Sequence, residues 1–122
     1  MPETLPEDAL VIRGGLNLPE SFVKGSGVRI GPSGKLEGVS VNAAPDKSAA
    51  ELTAPNPKNG YPGIRNNQIG ITTVGAVRAA GGEVTPSPTR TNPHHATLSG
   101  VTPQQVSELF CPTIANPSRK RA

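Results

Sequence analysis

The chain has no tryptophan, one tyrosine and two phenylalanines in 122 residues. That counts against an aromatic platform for unpaired bases, and so against a stacking-type binder of single-stranded nucleic acid. A single cysteine, Cys111, rules out an internal disulfide. The two histidines, His94 and His95, are neighbours. On a strand they would point to opposite faces and would not chelate one ion, and no cysteine or histidine cluster has zinc spacing, so no metal is expected. No apolar run is long enough to cross a bilayer. The opening Met1-Pro2-Glu3-Thr4-Leu5-Pro6-Glu7-Asp8 is acidic and proline-rich, unlike a signal peptide. The expectation is a cytoplasmic protein with no membrane partner, export without a cleaved signal being the alternative. A nucleophile elbow, a glycine-rich phosphate loop and the paired carboxylates of a glycosidase are also missing.

What is abundant is turn-forming residues. Fourteen glycines and fourteen prolines demand many reversals and argue against a helical bundle. Leucine, isoleucine, valine and phenylalanine make up about a fifth of the chain, but in short clustered runs, and the net charge is only +3. The length fits one domain. The expected division is a flexible lead-in over 1–8, one domain over 9–117 and a basic tail over 118–122. Arg119, Lys120 and Arg121 hold three of the twelve basic residues, with Arg90 a fourth, so the folded part is close to neutral. A solvated terminus explains the tail, and nucleic acid becomes a partner of second choice.

In order, Ala9-Leu10-Val11-Ile12-Arg13 reads as a buried strand by its β-branched content, ending on a charge before Gly14-Gly15. Leu18 to Lys24 reads as a short helix with Pro19 in its first turn. Val28-Arg29-Ile30 and Leu36 to Asn42 form a strand pair about the turn Gly31-Pro32-Ser33-Gly34. Ser48-Ala49-Ala50-Glu51 has capping-box spacing. Pro55 to Gly63 is a long loop, Gln68 to Thr72 a strand, Thr73 to Ala80 a small helix closed by Gly81-Gly82, and Glu83-Val84-Thr85 a further strand. Thr102, Pro103 and Gln105 start a helix whose buried stripe is Val106, Leu109 and Phe110, with Cys111 beside it as a small buried hydrophobe. This pattern predicts an α+β domain: one antiparallel or mixed sheet with three or four short helices.

The chemistry concentrates in Thr91-Asn92-Pro93-His94-His95-Ala96-Thr97-Leu98-Ser99-Gly100. Asn92-Pro93 makes a turn. From His95 the chain alternates: His95, Thr97 and Ser99 share one face, Ala96 and Leu98 the other. An imidazole able to move a proton near neutral pH stands beside hydroxyls able to bind an anion or a sugar. A plain polar surface strand has the same pattern. Arg13, then Ser40 with Asn42, then His95 with Thr97 would meet in one cleft if their strands share a sheet. That set, an anion anchor, hydrogen-bonding groups and an imidazole, suits a phosphate-bearing substrate.

Val11-Ile12-Arg13-Gly14, Val39-Ser40-Val41-Asn42 and His95-Ala96-Thr97-Leu98 together resemble the strands of small bacterial toxins with a reduced ADP-ribosyltransferase-type fold. The resemblance implies NAD binding, with Arg13 on the pyrophosphate and Ser40 and His95 near the nicotinamide ribose. The family's catalytic glutamate has no clear match; Glu83 and Glu108 are candidates by their late position. The same residues fit a metal-independent ribonuclease toxin, with His95 as general acid or base and Arg13 and Thr97 stabilising the phosphorane. A toxin of either kind implies an acidic antitoxin or immunity protein as partner. The non-enzymatic alternative is an interaction module: an antitoxin, immunity or phage accessory protein.

Overall fold

A computed structural model describes residues 5–15, 28–55, 58, 60–64, 66–111 and 113–117. The elements are β1 (Leu10–Gly14), β2 (Val28–Ile30), β3 (Leu36–Ala44), α1 (Ala49–Thr53), β4 (Gln68–Thr73), α2 (Val74–Ala79), β5 (Glu83–Pro86), β6 (His95–Ser99), α3 (Pro103–Phe110) and β7 (Ile114–Ala115). The helix expected over 18–24 and the basic tail over 118–122 lie outside the described residues.

The strands form one sheet in the order β5-β6-β3-β1-β4-β7, with β2 also on β3. Every described pairing is antiparallel. The α+β class read from the sequence is therefore the fold observed, with three helices among the described residues. β7 was not foreseen: two residues between turns carry no periodicity.

The sheet separates two apolar layers because side chains alternate across it. Val11, Val41, Ala43, Val84, Ala96 and Leu98 face the side covered by α2 and α3, where Val77, Val106 and Phe110 complete the main core. Phe110, fully buried, is its largest side chain. Ile12, Ala44 and Ile69 face the other side and pack under α1 through Leu52. α1 and α3 begin where local chemistry starts them. Ser48 and Glu51, and Thr102 and Gln105, make the reciprocal hydrogen bonds of a capping box.

Three local features differ from the sequence reading or extend it. Leu5, within the stretch read as lead-in, is only 4% exposed and joins the main core. Its carbonyl accepts a hydrogen bond from Arg78 Nη2. Cys111 is exposed rather than buried: α3 stops at Phe110, and the extended backbone at Cys111 (φ −108°, ψ 146°) takes it off the helix's apolar stripe. Gly63, in the long loop, has φ +81°, and a Cβ there would stand 2.7 Å from the Thr53 carbonyl oxygen, so only glycine lets the loop lie against the end of α1.

The feature that positions the site is a fork. β1 pairs with β3 from Leu10–Ala44 to Ile12–Asn42, then leaves it. β2 takes up the same edge of β3 from Val39, since Val39 pairs with β2 on one side and β6 on the other. In between, at Ser40, no described strand pairs with this edge of β3.

Candidate functional site

A cleft of about 620 Å³ opens at this fork, on the face away from α2 and α3. Ile12, Arg13, Gly14, Ser40, Asn42 and His95 line it from the sheet; Tyr61, Gly63, Ile64, Asn66, Thr89, Thr91 and Asn92 line it from the loops. Its size falls within the ordinary range of small-molecule sites, roughly 300–1,000 Å³. Four residues singled out by sequence, Arg13, Ser40, Asn42 and His95, therefore share one cleft. Thr97 and Ser99 lie on the same face of β6 but do not line it.

Arg13 arrives by an unexpected route. Its register partner is Gly70 and its parity is that of Val11, so regular alternation would send it to the core side. Because β1 has parted from β3, its guanidinium turns to the fork instead, and Nη1 donates to the Ser40 carbonyl oxygen at 2.8 Å. The side chain thus takes the place of a missing ladder bond. Burial pulls the guanidinium below its ordinary pKa, but an arginine remains charged at any physiological pH. Arg13 thus lines the cleft as a partly buried cation.

Asn42 is 5% exposed and committed to the fold. Its Nδ2 donates to the Leu52 carbonyl oxygen at 2.7 Å and to Tyr61 Oη at 3.0 Å. Its Oδ1 accepts from Asn92 Nδ2 at 2.8 Å. Asn92, equally buried, accepts at Oδ1 from the His94 backbone N–H. One amide pair thereby ties the sheet, the end of α1, the Tyr61 loop and the turn before β6 to one another. The sequence placed Asn42 on the polar face; its hydrogen bonds make it the frame of the cleft.

His95 is held from behind. Its Nδ1 lies 3.0 Å from the Ser87 carbonyl oxygen and 2.9 Å from Ser87 Oγ. A carbonyl oxygen only accepts, so the neutral imidazole carries its proton on Nδ1. Ser87 Oγ then accepts as well, and its own proton is directed to Thr97 Oγ1 at 2.9 Å. Nε2 keeps the lone pair, and no described residue donates to it. The site thus holds an imidazole set to accept a proton or a hydroxyl hydrogen bond. Sequence reasoning missed Ser87, which sits between two prolines with no periodicity; the β5–β6 ladder, with Pro86 opposite Ala96, and the hydrogen bond from its backbone N–H to the His95 carbonyl oxygen (2.9 Å) bring it alongside.

No carboxylate is among the described residues that line the cleft. Glu83 accepts from Arg78 Nε at 2.9 Å and from the Val84 N–H, both interactions holding its pKa low. Glu108 is exposed on α3, which packs on the opposite face of the sheet. Neither candidate glutamate reaches the cleft. His94 lies apart from His95, in an adjoining hollow beside α1. Its pKa is lowered by burial and then by Lys47, with Glu51 opposing. Among the described residues there is no group of three metal-ligating side chains, and no helix long and apolar enough to cross a membrane.

Comparison with protein-family models, with curated proteins and with solved structures finds no match. The functional reading rests on the cleft.

Proposed function

We propose that this chain is a toxin-type enzyme whose cleft takes a phosphate-bearing nucleotide, NAD in the first instance, and cleaves or transfers it at the nicotinamide ribose. The observation that carries this reading is the convergence of a desolvated Arg13 with an imidazole oriented through Nδ1 in a cleft of ligand size. In this reading Arg13 meets the pyrophosphate, and the Ser40 and Thr91 hydroxyls meet phosphate and ribose oxygens. Among the described lining residues no carboxylate stands in the place common to such chemistry, and we assign the proton-accepting role to His95. The bond from ribose C1′ to the nicotinamide nitrogen breaks, and nicotinamide leaves neutral. Water or a hydroxyl on a target bonds to C1′, and its proton passes to Nε2 of His95. No oxidant or reductant is needed.

The absence of a carboxylate from the described lining also favours a second reading. In a metal-independent ribonuclease His95 would take the proton of the attacking 2′-hydroxyl and return it to the leaving 5′-oxygen, while Arg13 faces the phosphorane. Either activity would require a neutralising antitoxin or immunity protein, acidic to complement Arg13 and the chain's charge of +3.

Purified protein incubated with NAD, with released nicotinamide followed by chromatography, tests the reading. RNA with a chelator is assayed in parallel. The wild type should release nicotinamide, and His95→Ala should lower the rate about a hundredfold or more. RNA cleavage without NAD turnover would select the second reading. Failure of both, with no NAD binding, would refute the enzyme and leave the interaction module.

A further inference from the structure

The hollow that holds His94 adjoins the main cleft. Tyr61 and Asn92 form part of the wall of both spaces. Its volume is about 240 Å³, below the roughly 300 Å³ at which whole-ligand sites begin, so it suits a fragment of a ligand. Its lining also differs from that of the main cleft. Leu52, Pro55, Pro93, Tyr61 and His94 give flat, largely apolar walls, with Glu51 and Lys58 beside them. The main cleft supplies a guanidinium and several hydroxyls and amides. A nucleotide has this division: a charged phosphate–sugar portion joined to a flat heteroaromatic ring.

We infer that this second lobe is the base-binding subsite of the same nucleotide, taking a purine ring against His94 and Tyr61 while Arg13 holds the phosphates. The inference rests on the nucleotide reading of the main cleft. The lobe is built before any ligand arrives. Asn42 fixes both Leu52 and Tyr61, and Asn92 Oδ1 fixes the His94 backbone N–H at 3.1 Å. Burial and Lys47 favour neutral imidazole at His94, and a neutral ring stacks on a base without first losing a hydration shell. Tyr61 Oη accepts from Asn42, which leaves its own proton to donate at the boundary between the two spaces.

The test uses the full chain and three probes: NAD, adenosine monophosphate and nicotinamide mononucleotide. Each is titrated by calorimetry and by backbone amide NMR. In the wild type, NAD and adenosine monophosphate should shift the amides of Leu52, Ala54 and His94, and nicotinamide mononucleotide should shift Arg13 and Ser40 but not these three. His94→Ala should weaken NAD and adenosine monophosphate at least tenfold and nicotinamide mononucleotide less than twofold. The proposal is overturned if the adenine-bearing probes leave the three amides unmoved, or if His94→Ala weakens all probes alike or none. Wild-type mapping needs no variant, so a misfolded His94→Ala does not shield the idea. If none of the three probes binds, the nucleotide reading falls and takes the lobe with it. If NAD binds while the lobe stays silent, only the lobe assignment is wrong.

Discussion

Asn42 separates a framing role from a ligand-binding one, and its replacement by alanine has a calculable cost. The change deletes three hydrogen bonds, to the Leu52 carbonyl oxygen, Tyr61 Oη and Asn92 Nδ2. Tyr61 is half-buried and its hydroxyl can turn to water. The Leu52 carbonyl and the Asn92 amide are left in a region where Leu52 is 1% and Asn92 5% exposed. Each buried polar group without a partner costs roughly 1–3 kcal/mol. Two such groups give about 3 kcal/mol, a large part of the roughly 5–15 kcal/mol that holds a domain together. For a chain of this size each kcal/mol moves the melting midpoint by roughly 4 °C, so Asn42→Ala should melt about 12 °C below the wild type. Ser40→Ala is the control. That side chain lies two residues away on the same face but is exposed, and its loss should move the midpoint by less than about 2 °C. The assay is thermal unfolding by circular dichroism. The double variant Asn42→Ala, Asn92→Ala should cost clearly less than the sum of the singles, because the second change removes the amide that the first leaves without a partner. A single-variant midpoint within about 3 °C of the wild type would refute the framing argument. Retained stability with lost NAD binding would return Asn42 to the ligand-binding set.

Three further outcomes are expected. Neutral His95 should show the nitrogen-15 signature of the Nδ1–H tautomer, and an Nε2–H signature would contradict the proton assignment built on Ser87. The pKa of His94 is depressed in the folded protein, so the unfolded chain binds the extra proton first as pH falls. The stability linked to His94 is present above its unfolded value of about 6.5 and lost as pH drops through the lower folded value; His94→Gln should flatten that part of a melting-midpoint profile between pH 7.5 and 5. Gly63→Ala should destabilise by more than about 1 kcal/mol, since it combines a positive φ with a Cβ 2.7 Å from a backbone oxygen; an unchanged midpoint would show that the loop shifts without cost.

The legible parts of the fold are those governed by residues near one another in sequence. Both capping boxes are i to i+3 arrangements, and the observed caps match them. Strand alternation correctly put Ser40, Asn42, His95 and Thr97 on one face, because pleating is local and register carries it across the sheet. Cys111 shows the limit of such reasoning. Helical periodicity placed it beside the buried stripe, but the backbone leaves the helix at that residue. Ser87 was invisible for another reason. Nothing near it in sequence marks it, and it reaches His95 because β5 pairs with β6, with Pro86 opposite Ala96 and the Ser87 N–H donating to the His95 carbonyl oxygen.

Arg13 joins these two cases, and it explains why the cleft lies where it does. Read as a strand residue, it belongs with Val11 and faces the core. Charge forbids that outcome: a guanidinium among Val41, Ala43 and Leu98 would lose its hydration for nothing. A continuous β1–β3 ladder would force the choice between burying the charge and breaking the sheet. The fork removes it. When β1 leaves β3 after Ile12, Arg13 gains a way out, and the Ser40 carbonyl, deprived of a strand partner, gains a donor. The opening that satisfies these two groups is the cleft itself. Asn42, Asn92, Ser87 and Thr97 then spend their hydrogen bonds on holding that opening in shape. Arg13, Ser40, Tyr61 and His95 line the same opening and are the groups to which the proposed function assigns the ligand. Under the proposed function these groups would receive an anionic, hydroxylated substrate, with proton acceptance assigned to Nε2 of His95.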